Sequence, residues 1–110
     1  MTRYPPYVAF EQAMIRTFEA MKKRELPLAD FYILKTETWV AVWVFFVNEK
    51  DVQENADTGV LGELEMDFRE RLLVSKEQFS FQELPPISFE FDSKENIDKN
   101  YQGSYYLRMR

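Results

Sequence analysis

Phe31–Val47, FYILKTETWVAVWVFFV, decides the fold. It holds two runs rich in β-branched and aromatic residues, Phe31–Lys35 and Trp39–Val47, separated by three residues. Such runs pack well on a pleated surface, and a short gap between them predicts an antiparallel hairpin. The turn around Glu37 and Thr38 lacks the Gly or Asn that usually fixes a tight hairpin. A two-residue loop at Glu37 and Thr38 places Leu34 opposite Ala41 and Tyr32 opposite Trp43. Phe31, Ile33, Val40, Val42, Val44 and Phe46 then share one face, and Tyr32, Leu34, Trp39, Trp43 and Phe45 share the other. The second run is therefore apolar on both sides. One face suits a long helix. The aromatic face needs another part of the chain, a partner, a second copy or a ligand to cover it.

Working outward, residues 6–24 predict an amphipathic helix. Phe10, Ala13, Met14, Thr17, Phe18 and Met21 recur at spacings of three and four and form one stripe. Pro5 and Pro6 suit the first turn, and Lys22, Lys23 and Arg24 complement the negative end of the helix dipole. Pro27 stops the helix. Asn48–Gly59 reads as a polar, acidic loop with one helical turn. The segment 60–74 carries two patterns. Val60, Leu64, Met66 and Phe68 alternate with acidic and basic residues as in a strand, while Leu61, Leu64, Phe68 and Leu72 fit a helix. The alternation, with Gly59 and Gly62 at its start, favours a strand. Phe79 and Phe81 alternate in a short apolar piece. Beyond Pro85 and Pro86, Ile87, Phe89 and Phe91 form a half-buried strand. Ser93 reads as the cap of a short helix over Lys94–Asn100, closed by Gly103. Tyr105–Arg110 reads as a last strand. The expectation is a single α+β domain over residues 1–110. Its antiparallel sheet has about four to five strands, packed by the long N-terminal helix, with a short helix before the last strand.

Composition bounds the function. The chain has 110 residues, 45% hydrophobic and 16% aromatic, enough for a real core. Its net charge of −5 argues against nucleic acid, whose phosphates demand a basic surface. There is no cysteine, so no disulfide, thiol nucleophile or thiolate metal site. There is no histidine either, which removes the ordinary neutral-pH base, the Ser-His-Asp arrangement and the usual zinc ligand. The longest apolar run, Trp39–Val47, is too short for a membrane helix. Met1–Phe10 carries two prolines where a secretory leader has its apolar stretch, so a cytoplasmic location is expected.

The charged clusters each have an ordinary explanation. Asp51, Gln53, Asn55 and Asp57 fall at alternate positions, as in a calcium loop. Ala56 and Gly62, however, stand where that motif needs Gly and Glu. Glu63, Glu65 and Asp67 would line one strand face, where paired carboxylates could do acid–base work but more often face solvent. Lys22–Arg24, and Arg108 with Arg110, are two small basic spots. Gly59, Gly62 and Gly103 form no phosphate-cradling loop.

These exclusions leave no catalytic, cofactor or metal residues. They point to a small cytoplasmic, non-enzymatic protein-binding module, such as a bacterial inhibitor, immunity-type or accessory protein. Its partner is a protein or a second copy of the chain, with no nucleic acid and no membrane. The candidate binding face is Tyr32, Trp39, Trp43, Tyr106 and Arg108, of the residue types that dominate binding hot spots. The second reading is a small-molecule ligand in an aromatic pocket between sheet and helix, and the third is a carboxylate-based enzyme.

Overall fold

The computed structural model describes residues Thr2–Arg110. Helix α1 (Tyr7–Lys23) leads into strands β1 (Leu28–Lys35) and β2 (Val40–Phe46). Three helices follow, α2 (Glu49–Asp57), α3 (Val60–Val74) and α4 (Lys76–Phe79). The chain then returns through β3 (Ile87–Ser93), α5 (Lys94–Asn100) and α6 (Tyr105–Met109).

The hairpin has the register that a two-residue loop dictates, with Tyr32 opposite Trp43 and Leu34 opposite Ala41. Its turn is held by a threonine rather than by Gly or Asn. Thr36 Oγ1 accepts from the amides of Thr38 (3.3 Å) and Trp39 (3.1 Å), while the Thr36 amide donates to the Trp39 carbonyl (2.9 Å). A hydroxyl can organise a turn in this way without any residue at positive φ.

The sheet itself departs from the expectation. It has three strands, in the order β1-β2-β3, and it is mixed: β1–β2 is antiparallel and β2–β3 is parallel. A parallel neighbour requires a long crossover, and 40 residues from Val47 to Pro86 supply it, with α2, α3 and α4 inside them. That crossover absorbs the segment read as a strand. Residues 60–74 form a helix because Leu64, Phe68 and Leu72, four residues apart, are all fully buried, whereas the strand pattern needed Met66 inside, and Met66 is 62% exposed. The acidic loop is mostly helix as well. The Asn48 amide donates to Asp51 Oδ2 (3.1 Å), which fastens the first turn of α2. Phe79 ends the short α4, and Phe81 is fully buried and bridges to Thr2 instead of entering a strand.

The last segment also departs from the expected strand. Tyr105–Met109 is a helix, started by Ser104, whose Oγ accepts from the Leu107 amide (3.3 Å). It follows α5, capped as expected by Ser93 Oγ accepting from the Asn96 amide (3.0 Å).

Helices lie on both sides of the sheet. On the first face, Phe10, Met14 and Met21 of α1 and Leu64, Phe68 and Leu72 of α3 meet Ile33, Val40, Val42, Val44 and Phe46. The β3 residues Ile87, Phe89 and Phe91 join this layer, with Phe89 edge-on to Phe68 at 5.5 Å. On the second face a separate, smaller cluster forms from Ala41, Trp43, Phe45 and Ile97, with Tyr32, Tyr101, Tyr105 and Met109 packed against it. Among the described residues, no helix is long and apolar enough to cross a membrane.

Candidate functional site

The second face is the part of the molecule where aromatic side chains, an ion pair and open surface meet. Pleating puts Ala41, Trp43 and Phe45 of β2 on this side, with Trp39 just before the strand, flanked by Tyr32 and Leu34 of β1 and by Ser88, Glu90 and Asp92 of β3. The strands therefore bring aromatic rings beside a row of polar residues. The short helices cover only the end of this face remote from the hairpin.

At the covered end Phe45 is fully buried and Trp43 is 9% exposed. The two rings stack at 6.1 Å, and the Tyr105 ring meets Phe45 edge-on at 4.5 Å and lies 5.1 Å from Tyr32. Arg108 completes the cover. Its guanidinium carbon is 4.9 Å from the Trp43 ring centre and 5.8 Å from that of Tyr101, within cation–π range. Its Nε donates to Asp92 Oδ2 at 2.6 Å. Asp92 is further fixed by the Asn96 amide group (3.0 and 3.1 Å) and by the Ser93 backbone amide (2.8 Å).

Burial, and then the nearby Asp30 carboxylate, push the Tyr32 and Tyr105 hydroxyls above the ordinary phenol range.

At the hairpin end the face is open. Trp39 is 44% exposed and Leu34, its diagonal neighbour across the hairpin, 37%; Ser88 and Glu90 on the adjacent strand are exposed too. Of the five residues anticipated from sequence, Trp43 lies under Arg108, Tyr32 is half-buried beside Tyr105, and Trp39 faces solvent. Arg108 is half-buried and Tyr106 points outward from α6. The structure thus joins Tyr32, Trp43 and Arg108 in one cluster, and it places Trp39 at the cluster's uncovered border. Sequence reasoning missed Asp92, Tyr101 and Tyr105. A signal for Asp92 existed: in Phe89–Ser93 it alternates with apolar residues, so it had to face the opposite layer from Phe91.

The other anticipated clusters are occupied by structural partners. Glu63 accepts from Arg24 (2.8 Å), and Asp67 accepts from Thr17 Oγ1 (2.8 Å) and Arg71 (2.7 Å). On a helix Glu65 points away from both, so the three carboxylates do not share a face. Among the described residues, no group of three or more acidic side chains could hold a metal ion. The layer between sheet and α1 is filled by Phe10, Met14, Val42, Val44 and Phe46, all fully buried. The larger surface depressions, such as the one between Arg24, Glu63 and Met66, are shallow and open.

No family model, curated protein or solved structure matches the chain.

Proposed function

We propose that the chain is a non-enzymatic protein-binding module, of the inhibitor, immunity or accessory kind, which engages its partner through the hairpin end of the second sheet face. The exposure of Trp39 beside Leu34 carries this reading. A tryptophan costs little side-chain entropy to immobilise and contributes a large contact area, and exposed apolar surface continuous with a rigid sheet suits a docking anchor. Trp39 is held by the threonine-fastened turn, so it is presented in one place. Glu90 on the same face and the net charge of −5 favour a basic partner surface.

The test is affinity capture with the intact chain, compared with Trp39→Ala and Glu90→Lys variants, both at exposed positions of the hairpin end. A stoichiometric protein partner retained by the parent chain and lost by the variants, at unchanged melting temperature, is the expected result. Retention of the same partner by both variants removes this face from the reading. Pairing of the chain with itself, lost in the same variants, makes the partner a second copy.

A further inference from the structure

We infer that Ser104–Arg110 is a strap that opens as a unit about Gln102–Gly103, uncovering Trp43 and Phe45 while the rest of the fold stays intact. This rests on the protein-binding reading for its use, since opening would extend the exposed Trp39 border into the aromatic cluster. Three observations carry the mechanics.

The first is the hinge. Gln102 (φ 56°) and Gly103 (φ 75°) are consecutive residues in left-handed backbone, where the glutamine is strained and the chain reverses sharply. Two amide bonds hold this reversal, from Gly103 to the Ile97 carbonyl (3.0 Å) and from Ser104 to the Tyr101 carbonyl (2.9 Å).

The second is the weakness of the strap itself. Helix α6 has five residues, and none of them is buried. A helix this short does not persist alone, so its order depends on what it leans against. Its fastenings are the Arg108–Asp92 pair, the stacking of Arg108 on Trp43 and Tyr101, the Tyr105 ring against Phe45 and Tyr32, and Met109 packed on the same cluster.

The third is that release leaves a sound molecule behind. The large cluster between the sheet and α1 and α3 contains no residue of the strap. Asp92 keeps its bonds from Asn96 and the Ser93 amide when Arg108 leaves, and Trp43 stays on a central strand bonded on both sides. Local opening of a weakly held segment at free energy well below global unfolding is ordinary behaviour for such an element.

The experiment uses the full chain in a Trp39→Phe background, where Trp43 is the sole tryptophan. Amide exchange and acrylamide quenching are measured together. The Leu107 amide, bonded to the Ser104 hydroxyl, and the Arg110 amide, bonded to the Tyr106 carbonyl, are expected to exchange at least about 100-fold faster than those of β2. Asp92→Asn keeps an acceptor oxygen and leaves Arg108 in place but removes the charge, so it exposes Trp43 only by opening the strap. It is expected to raise the Trp43 quenching constant about twofold or more with β2 protection unchanged. Equal exchange in α6 and β2 overturns the strap. So does unchanged quenching in Asp92→Asn, or exposure of Trp43 only together with loss of β2 protection. Arg108→Ala, read by α6 exchange, is the second variant should Asp92→Asn fold poorly. None of these readouts involves a partner, so the strap and the binding role fail separately.

Discussion

Arg108 holds two positions at once: its Nε lies 2.6 Å from Asp92 Oδ2 and its guanidinium carbon 4.9 Å above the Trp43 ring. A planar, forked cation can bond edge-on and stack face-on together, which an ammonium cannot. This single side chain links the last helix, the edge strand β3 and the central strand β2. It divides the aromatic face into a covered part around Phe45 and an open part around Trp39.

The division sets opposite roles for the two tryptophans. Trp43→Ala removes a nearly buried ring and is expected to cost about 3–5 kcal/mol. Trp39→Ala, at an exposed site, is expected to change stability by no more than about 0.5 kcal/mol. Chemical denaturation of both variants checks this. Equal losses would mean that the face is not divided as described.

Helix α3 has its own test. Gly62 sits in the first turn, and a Cβ added there meets nothing within 4 Å. Gly62→Ala is therefore expected to stabilise the chain by about 0.5–1 kcal/mol, by lowering the entropy of the unfolded chain and favouring helix. Thermal unfolding reads it as a higher midpoint. A lower midpoint would contradict helical structure at residues 60–74.

Acid dependence follows from Glu95. The Glu49 backbone amide (2.9 Å), and secondly Lys99 (3.0 Å), hold its carboxyl below the usual glutamate range. A folded-state value depressed below the unfolded one, about 4.3, gives stability that is present above that pH. It is lost as pH falls through the folded value. Melting temperatures taken from about pH 5 down to about pH 3 are expected to fall less steeply in Glu95→Gln than in the parent chain. An identical slope would remove the link between α2 and α5 that this carboxylate makes.

What the sequence makes legible is local. The hairpin register follows from two β-branched runs and a two-residue loop, and α1 and α5 follow from an apolar stripe and a serine cap. The parallel pairing of β3 is not legible, because it depends on where a 40-residue crossover returns the chain. Residues 60–74 misled because Met66, exposed on a helix, also completes an alternating pattern. Tyr105–Met109 misled because a short aromatic segment has high strand propensity, whereas the Ser104 cap and the fastening to Trp43 and Phe45 make it a helix. The candidate face was legible as residues but not as an arrangement. Nothing in the sequence says that Arg108 covers Trp43 and leaves Trp39 open.

The central claim is that the open hairpin end docks a protein, and affinity capture with the parent chain and a Trp39→Ala/Glu90→Lys double variant tests it most directly. The expected result is a stoichiometric partner bound by the parent chain and lost, or weakened at least about tenfold, in the double variant, with both proteins melting at the same temperature. A partner held equally by both chains would contradict the claim, as would a parent chain that captures no protein and does not self-associate.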